Sequence, residues 1–241
     1  MVGAAIHRYG MIRHGDRMLV AVSGGKDSMT ALWILQERLH RIPIRYQLVP
    51  VYLEMGYAPA TTEQMEAYFR AAGYAEYRVE SLDYAVQAHS EINRENPCFL
   101  CSRLRRKRLF AMAVSMNCNK LVLGHNQDDM IETLFLNIFY GSTISTLQPV
   151  QPLFGGKITI VRPLTLLPEE AVRRFAEHAA LPLLKNSCPS ARNSKRTEIR
   201  KMLAALYKSN RKIRGNIFHA IHNVNPDYLP GNPGSDPVHS K

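Results

Sequence analysis

A chain of 241 residues, 46% of them hydrophobic, holds one α/β domain with a modest appendage and enough apolar material for a full core. No apolar run approaches the length that crosses a bilayer and no N-terminal stretch has the order of a signal peptide; a soluble, cytoplasmic chain is expected, whose four cysteines serve as thiols, metal ligands or catalytic groups rather than structural disulfides. The formal charge of +11 is high for an enzyme acting only on small metabolites, and phosphate backbones, RNA above all, are the expected partner.

Residues 18–22 are apolar and read as a buried strand, and Ser23-Gly24-Gly25-Lys26-Asp27-Ser28 follows at once. A strand that ends in a small-residue turn and opens onto a helix presents free backbone N–H groups, whose natural ligand is an anion. The spacing is not that of Walker A, because Asp27 separates Lys26 from Ser28. Two adjacent glycines, one Lys point charge and a Ser placed to cap a helix suit a compact group such as pyrophosphate. The helix is read over residues 27–40, with Ala31, Leu32, Ile34, Leu35 and Leu39 inward. A second strand is expected over 47–53, a helix over 60–72 with Thr61 and Thr62 as caps, and a short strand over 77–79.

Cys98-Phe99-Leu100-Cys101 is a pair that can grip one metal ion or one cluster edge, and Cys188 is the best-placed further ligand. Three cysteines around a four-iron cluster would leave one iron without a protein ligand; a structural zinc is normally closed by four ligands. Zinc completed by a His, and redox use of Cys98 and Cys101, remain the alternatives. Cys118, at the end of an apolar helical run, reads as a small buried thiol. Strands over 121–124 and 158–161 follow, and alternating βα units predict a parallel sheet with helices on both faces and its ligand at the carboxyl ends of the strands. Gly124-His125-Asn126-Gln127-Asp128-Asp129 falls at that edge. Asp128 or Asp129 could hold a Mg²⁺ beside polyphosphate, or the segment could only cap the helix that it opens. Another helix is expected to open at Pro168-Glu169-Glu170.

Two basic runs flank the third cysteine: Arg103, Arg105, Arg106, Lys107 and Arg108 after the CxxC, and Lys195, Arg196 and Arg200 at the head of two Lys/Arg-rich helices over 194–207 and 212–223. Together they suggest a phosphate-backbone track. The expected division is a domain over 1–182 with a CxxC-bearing insertion, a basic helical extension over 183–224 completing the cysteine site, and a Pro/Gly-rich, extended or disordered tail over 225–241.

The 23–28 turn resembles the signature of the PP-loop ATP pyrophosphatases, which split ATP to AMP and pyrophosphate. With it, Met11 to Asp16, Pro97 to Arg106, Gly124-His125 with Asp128-Asp129, Thr133 to Asn137 and Arg162-Pro163-Leu164 resemble the tRNA 2-thiocytidine synthetase family, over residues 9–226. The resemblance implies ATP on Ser23, Gly24, Gly25, Lys26, Asp27, Ser28, Gly124 and His125, with Mg²⁺ on Asp128 and Asp129 and catalytic work by Lys26, Asp27, Asp128 and Asp129. It also implies a [4Fe-4S] cluster on Cys98, Cys101 and Cys188, a tRNA whose anticodon-loop cytidine becomes 2-thiocytidine, and a sulfur donor (a cysteine desulfurase or sulfide). A homodimer is compatible with it. The family commonly has a second CxxC at Cys188; here Lys185 and Ala191 stand at the three-residue offsets. A PP-loop ligase with structural zinc and a non-catalytic tRNA-binding protein are the other readings.

Overall fold

The computed structural model describes residues 1–185, 187–192 and 194–229. In chain order these form α1 (Val2–Arg8), β1 (Arg17–Val22), α2 (Lys26–Leu39), β2 (Gln47–Glu54), α3 (Thr61–Ala71), β3 (Arg78–Ser81), α4 (Tyr84–Ala88), α5 (Pro97–Ser115), β4 (Lys120–Val122), α6 (Gln127–Gly141), β5 (Val150–Leu153), β6 (Ile158–Val161), α7 (Glu169–His178), α8 (Lys195–Ser209) and α9 (Ile213–Ile221). Of the tail expected to be extended, Pro226–Tyr228 is a 3-10 turn, and residues from 230 onward lie outside the described ones.

The strands make one sheet in the order β3-β2-β1-β4-β6-β5. β1 is central and parallel to both neighbours, with Leu19 opposite Val49 of β2 and Leu121 of β4. From β1 the chain winds outward through β2 to β3, then returns to β4 on the other side of β1. That reversal opens a crevice above the carboxyl ends of β1 and β4, where open α/β sheets bind ligands. Both the 23–28 turn and the 124–129 segment start there.

Alternation along β1 sends Met18, Val20 and Val22 into a core shared with Leu32 and Leu35 of α2, Met65 and Phe69 of α3 and Val172 of α7. Leu19 points into the opposite core, with Leu109, Met112 and Ala113 of α5. A strand buried on both faces has no solvent side for polar residues, which is why residues 18–22 are apolar throughout. Phe69 is fully buried, with its ring centroid 5.9 Å from that of Tyr74 and 5.6 Å from that of Tyr77. Phe69→Ala is expected to cost about 3–5 kcal/mol, and to lower the melting temperature by roughly 10 °C or more in a calorimetric scan. A third, smaller cluster of Ile131, Ile199 and Leu203 seats α8 on α6.

Several local expectations are corrected. The sheet is parallel except for β5, which runs antiparallel to β6 at the edge, with Val150 opposite Val161. Its Pro152 is tolerated because an edge strand does not need every N–H in a ladder. Ser28 is not a cap: α2 starts at Lys26 with Gly25 as N-cap, and the Ser28 hydroxyl donates to the Gly25 carbonyl at 3.0 Å. Nor are Thr61 and Thr62 caps: Ala60 holds that position, and their hydroxyls donate to the carbonyls of Ala58 and Pro59, each at 2.6 Å.

Candidate active site

The phosphate turn is folded on its own hydroxyls. Ser28 Oγ accepts from the Ser23 N–H at 3.0 Å and lies 3.1 Å from Ser23 Oγ, which in turn accepts from the Gly25 N–H at 3.3 Å. Gly24 has φ +76°, in the left-handed region that glycine adopts without penalty. Lys26 Nζ donates to Asp27 Oδ2 at 3.0 Å and to Glu169 Oε1, at the start of α7, at 2.7 Å. Burial alone would lower the Lys26 pKa, but the Glu169 hydrogen bond and the Asp27 charge outweigh it and hold the ammonium above its ordinary value. Glu169 is the counterpart: burial raises it, Lys26 pulls it down further, and it sits below the usual carboxylate range.

The second segment of the crevice is pressed against the first. A Cβ on Gly124 would fall 2.8 Å from the Ser28 nitrogen and 2.9 Å from the Asp27 carbonyl, so only glycine allows this approach. Asn126 Nδ2 donates to Asp27 Oδ1 at 2.9 Å, a bond between residues 99 apart in the chain. Asn126 also caps α6 through the N–H groups of Asp128 and Asp129, while Asp129 Oδ2 accepts from the Asn126 N–H at 3.0 Å, a complete capping box. Asp128, 8% exposed, accepts from the Glu169 N–H at 2.6 Å through Oδ2, and its Oδ1 lies 3.3 Å from Arg214 Nε of α9. Burial pushes its carboxyl up. Asp129 Oδ1 pairs with Arg196 of α8 at 3.1 Å. Each aspartate therefore has one oxygen on the backbone and one against an arginine from the C-terminal helices. Asp27, Asp128, Asp129 and Glu169 nonetheless ring the turn with oxygen donors, the chemistry that Mg²⁺ accepts from one or two carboxylates and substrate phosphates.

The cysteines gather beside this crevice. Cys98 and Cys101 stand one turn apart at the amino end of α5, behind Pro97 and an Asn96 cap that accepts from the Cys98 and Phe99 N–H groups. Burial pushes the Cys101 thiol up, the Arg105 guanidinium opposes this, and the Cys188 and Cys98 sulfurs add to it, so each of those two lies within electrostatic reach of Cys101. None of the three is in a disulfide, and cysteine sulfurs, two of them at a helix N-terminus, are the ligand type of iron–sulfur clusters. Among the described residues no three His, Cys, Asp or Glu side chains stand together as a group that could hold a metal ion. Cys118 is buried past the end of α5, with Sγ donating to the Met116 carbonyl at 3.7 Å.

Cys188 lies on a strap held on either side of it, at Leu184 and at Ser190. The Leu184 N–H donates to the Gly24 carbonyl at 2.9 Å and its side chain covers Gly24. At the other end Ser190 Oγ lies 2.6 Å from His89 Nε2. The His89 Nδ1 lies 2.7 Å from the Ala85 carbonyl, which can only accept, so Nε2 of the neutral ring is the acceptor for the Ser190 hydroxyl.

Of the eight basic residues expected on RNA, Arg105, Arg106 and Lys107 are exposed with no ion pair among the described residues. The others are engaged within the protein. Arg108 grips Glu80 through two nitrogens, Nε at 2.7 Å; Arg103 pairs with Glu95 at 2.9 Å; and Lys195 pairs with Glu198 at 3.1 Å. Arg200 pairs at 2.7 Å with Glu132, 2% exposed, which Arg196 also approaches at 3.7 Å. Glu169, Arg162 and Arg214 also belong to the site, although the sequence reading gave none of them a role there. For Glu169 and Arg162 the signal was topological: both follow β6, whose carboxyl end opens on the same crevice.

A crevice built this way, with a glycine turn, a lysine and a ring of carboxylates at the switch point of a parallel sheet, defines a PP-loop nucleotide-binding protein, and the PP-loop domain family matches residues 4–206. The chain belongs to the tRNA-cytidine(32) 2-sulfurtransferase family. It is 36% identical over 230 residues to the protein of that name from Geobacter sulfurreducens, covering 95% of this chain and 90% of that one. It is 38% identical over 232 residues to that from Syntrophotalea carbinolica, covering 95% and 89%. In fold it is similar to the U34-tRNA thiolase NcsA from Methanococcus maripaludis, solved with its [4Fe-4S] cluster, with TM-score 0.75 and 23% identity over 97% of this chain and 80% of that one. Among the described residues no helix is long and apolar enough to cross a membrane.

Proposed function

We propose that this chain is an ATP-dependent tRNA thiolase that converts an anticodon-loop cytidine to 2-thiocytidine in the cytoplasm. The observation that supports the reading is the segment that bonds to the phosphate turn at Leu184 and has Cys188 within electrostatic reach of Cys101. An enzyme that must activate an oxygen and replace it with sulfur needs those two centres next to each other.

Lys26 and the N–H groups of the 23–28 turn hold the ATP phosphates, and Asp128 or Asp129 among the flanking carboxylates would hold a Mg²⁺, which would supply charge to offset that on the leaving pyrophosphate. For an aspartate to take the metal, its arginine must move aside, and RNA phosphates offer Arg196 and Arg214 an alternative partner. The cytidine O2 attacks the α-phosphorus, the bond to pyrophosphate breaks, and C2 then carries AMP as a leaving group. Sulfide from the donor, a cysteine desulfurase product or free sulfide, attacks C2, and AMP departs with the former oxygen. The [4Fe-4S] cluster, on Cys98, Cys101 and Cys188, would supply when bound an iron without a protein ligand for sulfide delivery. Arg105, Arg106 and Lys107 supply the open cationic face for the tRNA backbone, and a loop base costs little to extrude because it is already partly unstacked. Residues 1–182 act as the activating domain and 183–224 as the extension that completes the cysteine site. A homodimer is compatible with this assignment.

Anaerobic iron and sulfide analysis, with mass spectrometry of tRNA nucleosides, tests the reading. Cys188→Ala is expected to lose both iron and 2-thiocytidine while keeping ATP binding. Iron-free protein that still thiolates RNA would sink the cluster role; zinc without iron, with sulfide-independent AMP release, would favour a ligase.

A further inference from the structure

Arg162 is 4% exposed, yet among the described residues it has no carboxylate partner. Its hydrogen-bond acceptors are all neutral: His125 Nδ1 at 3.2 Å from Nε, the Gln148 carbonyl, and Gln151 Oε1 at 3.4 Å. A guanidinium taken out of water without a counter-charge is costly to keep, and the bond to His125 has a chemical consequence. Nε of arginine always carries its hydrogen, so His125 Nδ1 is the acceptor, and the single proton of the neutral ring sits on Nε2.

That Nε2 has no hydrogen-bond partner among the described residues, and it is not among the buried, unsatisfied side-chain atoms. It belongs to the residue directly after Gly124, whose backbone abuts the first turn of α2. Charge around the ring keeps it neutral: burial comes first, then Arg162 from the end of β6, Arg196 from α8, and Arg105 and Arg106 from α5, and together they push His125 down to about 3. Asp129 pairs with Arg196. A neutral ring with its proton on Nε2 can neither take up a proton there nor act as a cation. It can donate one hydrogen bond, as neutral imidazoles do at developing negative charge.

We propose that Arg162 is a positioning residue that fixes His125 in its Nε2–H tautomer, so that His125 donates a hydrogen bond to a non-bridging oxygen of the ATP α-phosphate while pyrophosphate leaves. The proposal rests on the adenylation assigned above to this crevice. It makes the Arg162-Pro163-Leu164 turn part of the activating site, working through a second residue.

Two measurements on the full-length holoprotein decide it. Ring ¹⁵N NMR of histidine-labelled protein, assigned with His125→Gln, should show Nε2 protonated and no titration between about pH 5 and 8. A ring that titrates there, or carries its proton on Nδ1, overturns the proposal, and this readout requires no Arg162 variant to fold. In steady-state AMP formation with ATP and a tRNA transcript, Arg162→Gln should lower kcat by about a hundredfold with little change in KM for ATP, the size of losing one aligned donor. His125→Gln keeps an amide donor in place of Nε2–H, and adding Arg162→Gln to it should cost less than about twofold, since a residue acting only through another shows no independent loss. Full additivity of the two losses would remove Arg162 from this role. A wild-type holoprotein that forms no AMP would instead defeat the adenylation reading itself.

Discussion

Lys26→Met is expected to lower AMP formation by about two to three orders of magnitude, the range seen when one preorganised charge is removed from a developing anion. Among the described residues the side chain is the only cation paired with both Asp27 and Glu169, at 3.0 and 2.7 Å, and its removal does two things at once. The phosphates lose their point charge, and two carboxylates are left facing an incoming polyanion. Glu169 would also lose the partner that holds it below the usual carboxylate range, so its pKa should rise toward and past the ordinary value. AMP release measured by chromatography, beside a melting curve, separates the chemistry from the fold. Lys26 is only about one-quarter exposed in its side chain, so removing it from two part-buried carboxylates should also lower the melting temperature, which is why both readouts are needed. AMP formation within a factor of about ten of wild type would remove Lys26 from phosphate binding.

Gly24→Ala should be the most damaging small substitution in the turn. Two costs add. A Cβ at φ +76° carries about 1 kcal/mol of backbone strain. It would also stand 2.8, 2.7 and 2.6 Å from Leu184 Cβ, Cγ and Cδ1, an overlap that costs about 1–3 kcal/mol to relieve. The expected loss is about 2–4 kcal/mol, or roughly 5–10 °C in melting temperature. Pairing it with Leu184→Ala should return the steric part and leave the backbone part. An equal loss in both backgrounds would mean that Leu184 does not cover Gly24.

The parts of this architecture carried by local pattern were legible in the amino-acid sequence. Residues 18–22 reveal a central strand because both faces of β1 are buried, and the glycines, Lys26 and the sheet topology together locate the ligand edge. The apolar spacing of α2 and α3 likewise reports the face each turns to the core. What pattern could not supply was pairing at long range. Asp128 and Asp129 read as open carboxylates because nothing near them in the chain shows that Arg214 and Arg196 come back to them from 86 and 67 residues away. β5 escaped because Pro152 and a four-residue run give neither length nor alternation, and its existence depends on β6 lying beside it. Glu169 read as a carboxylate matched to a helix dipole, which it is; that it also reaches Lys26 is a property of the crevice and not of α7.

The strap has a consequence for how variants of this chain should be sorted. Because it rests on Gly24 through Leu184 and on His89 through Ser190, a change at either anchor moves the Cys188 thiol without altering any sulfur. A Gly24 variant would then arrive at the bench pale and iron-poor and be filed as a cysteine defect. Only a nucleotide-binding assay on the same sample would reveal that the lesion began in the phosphate turn.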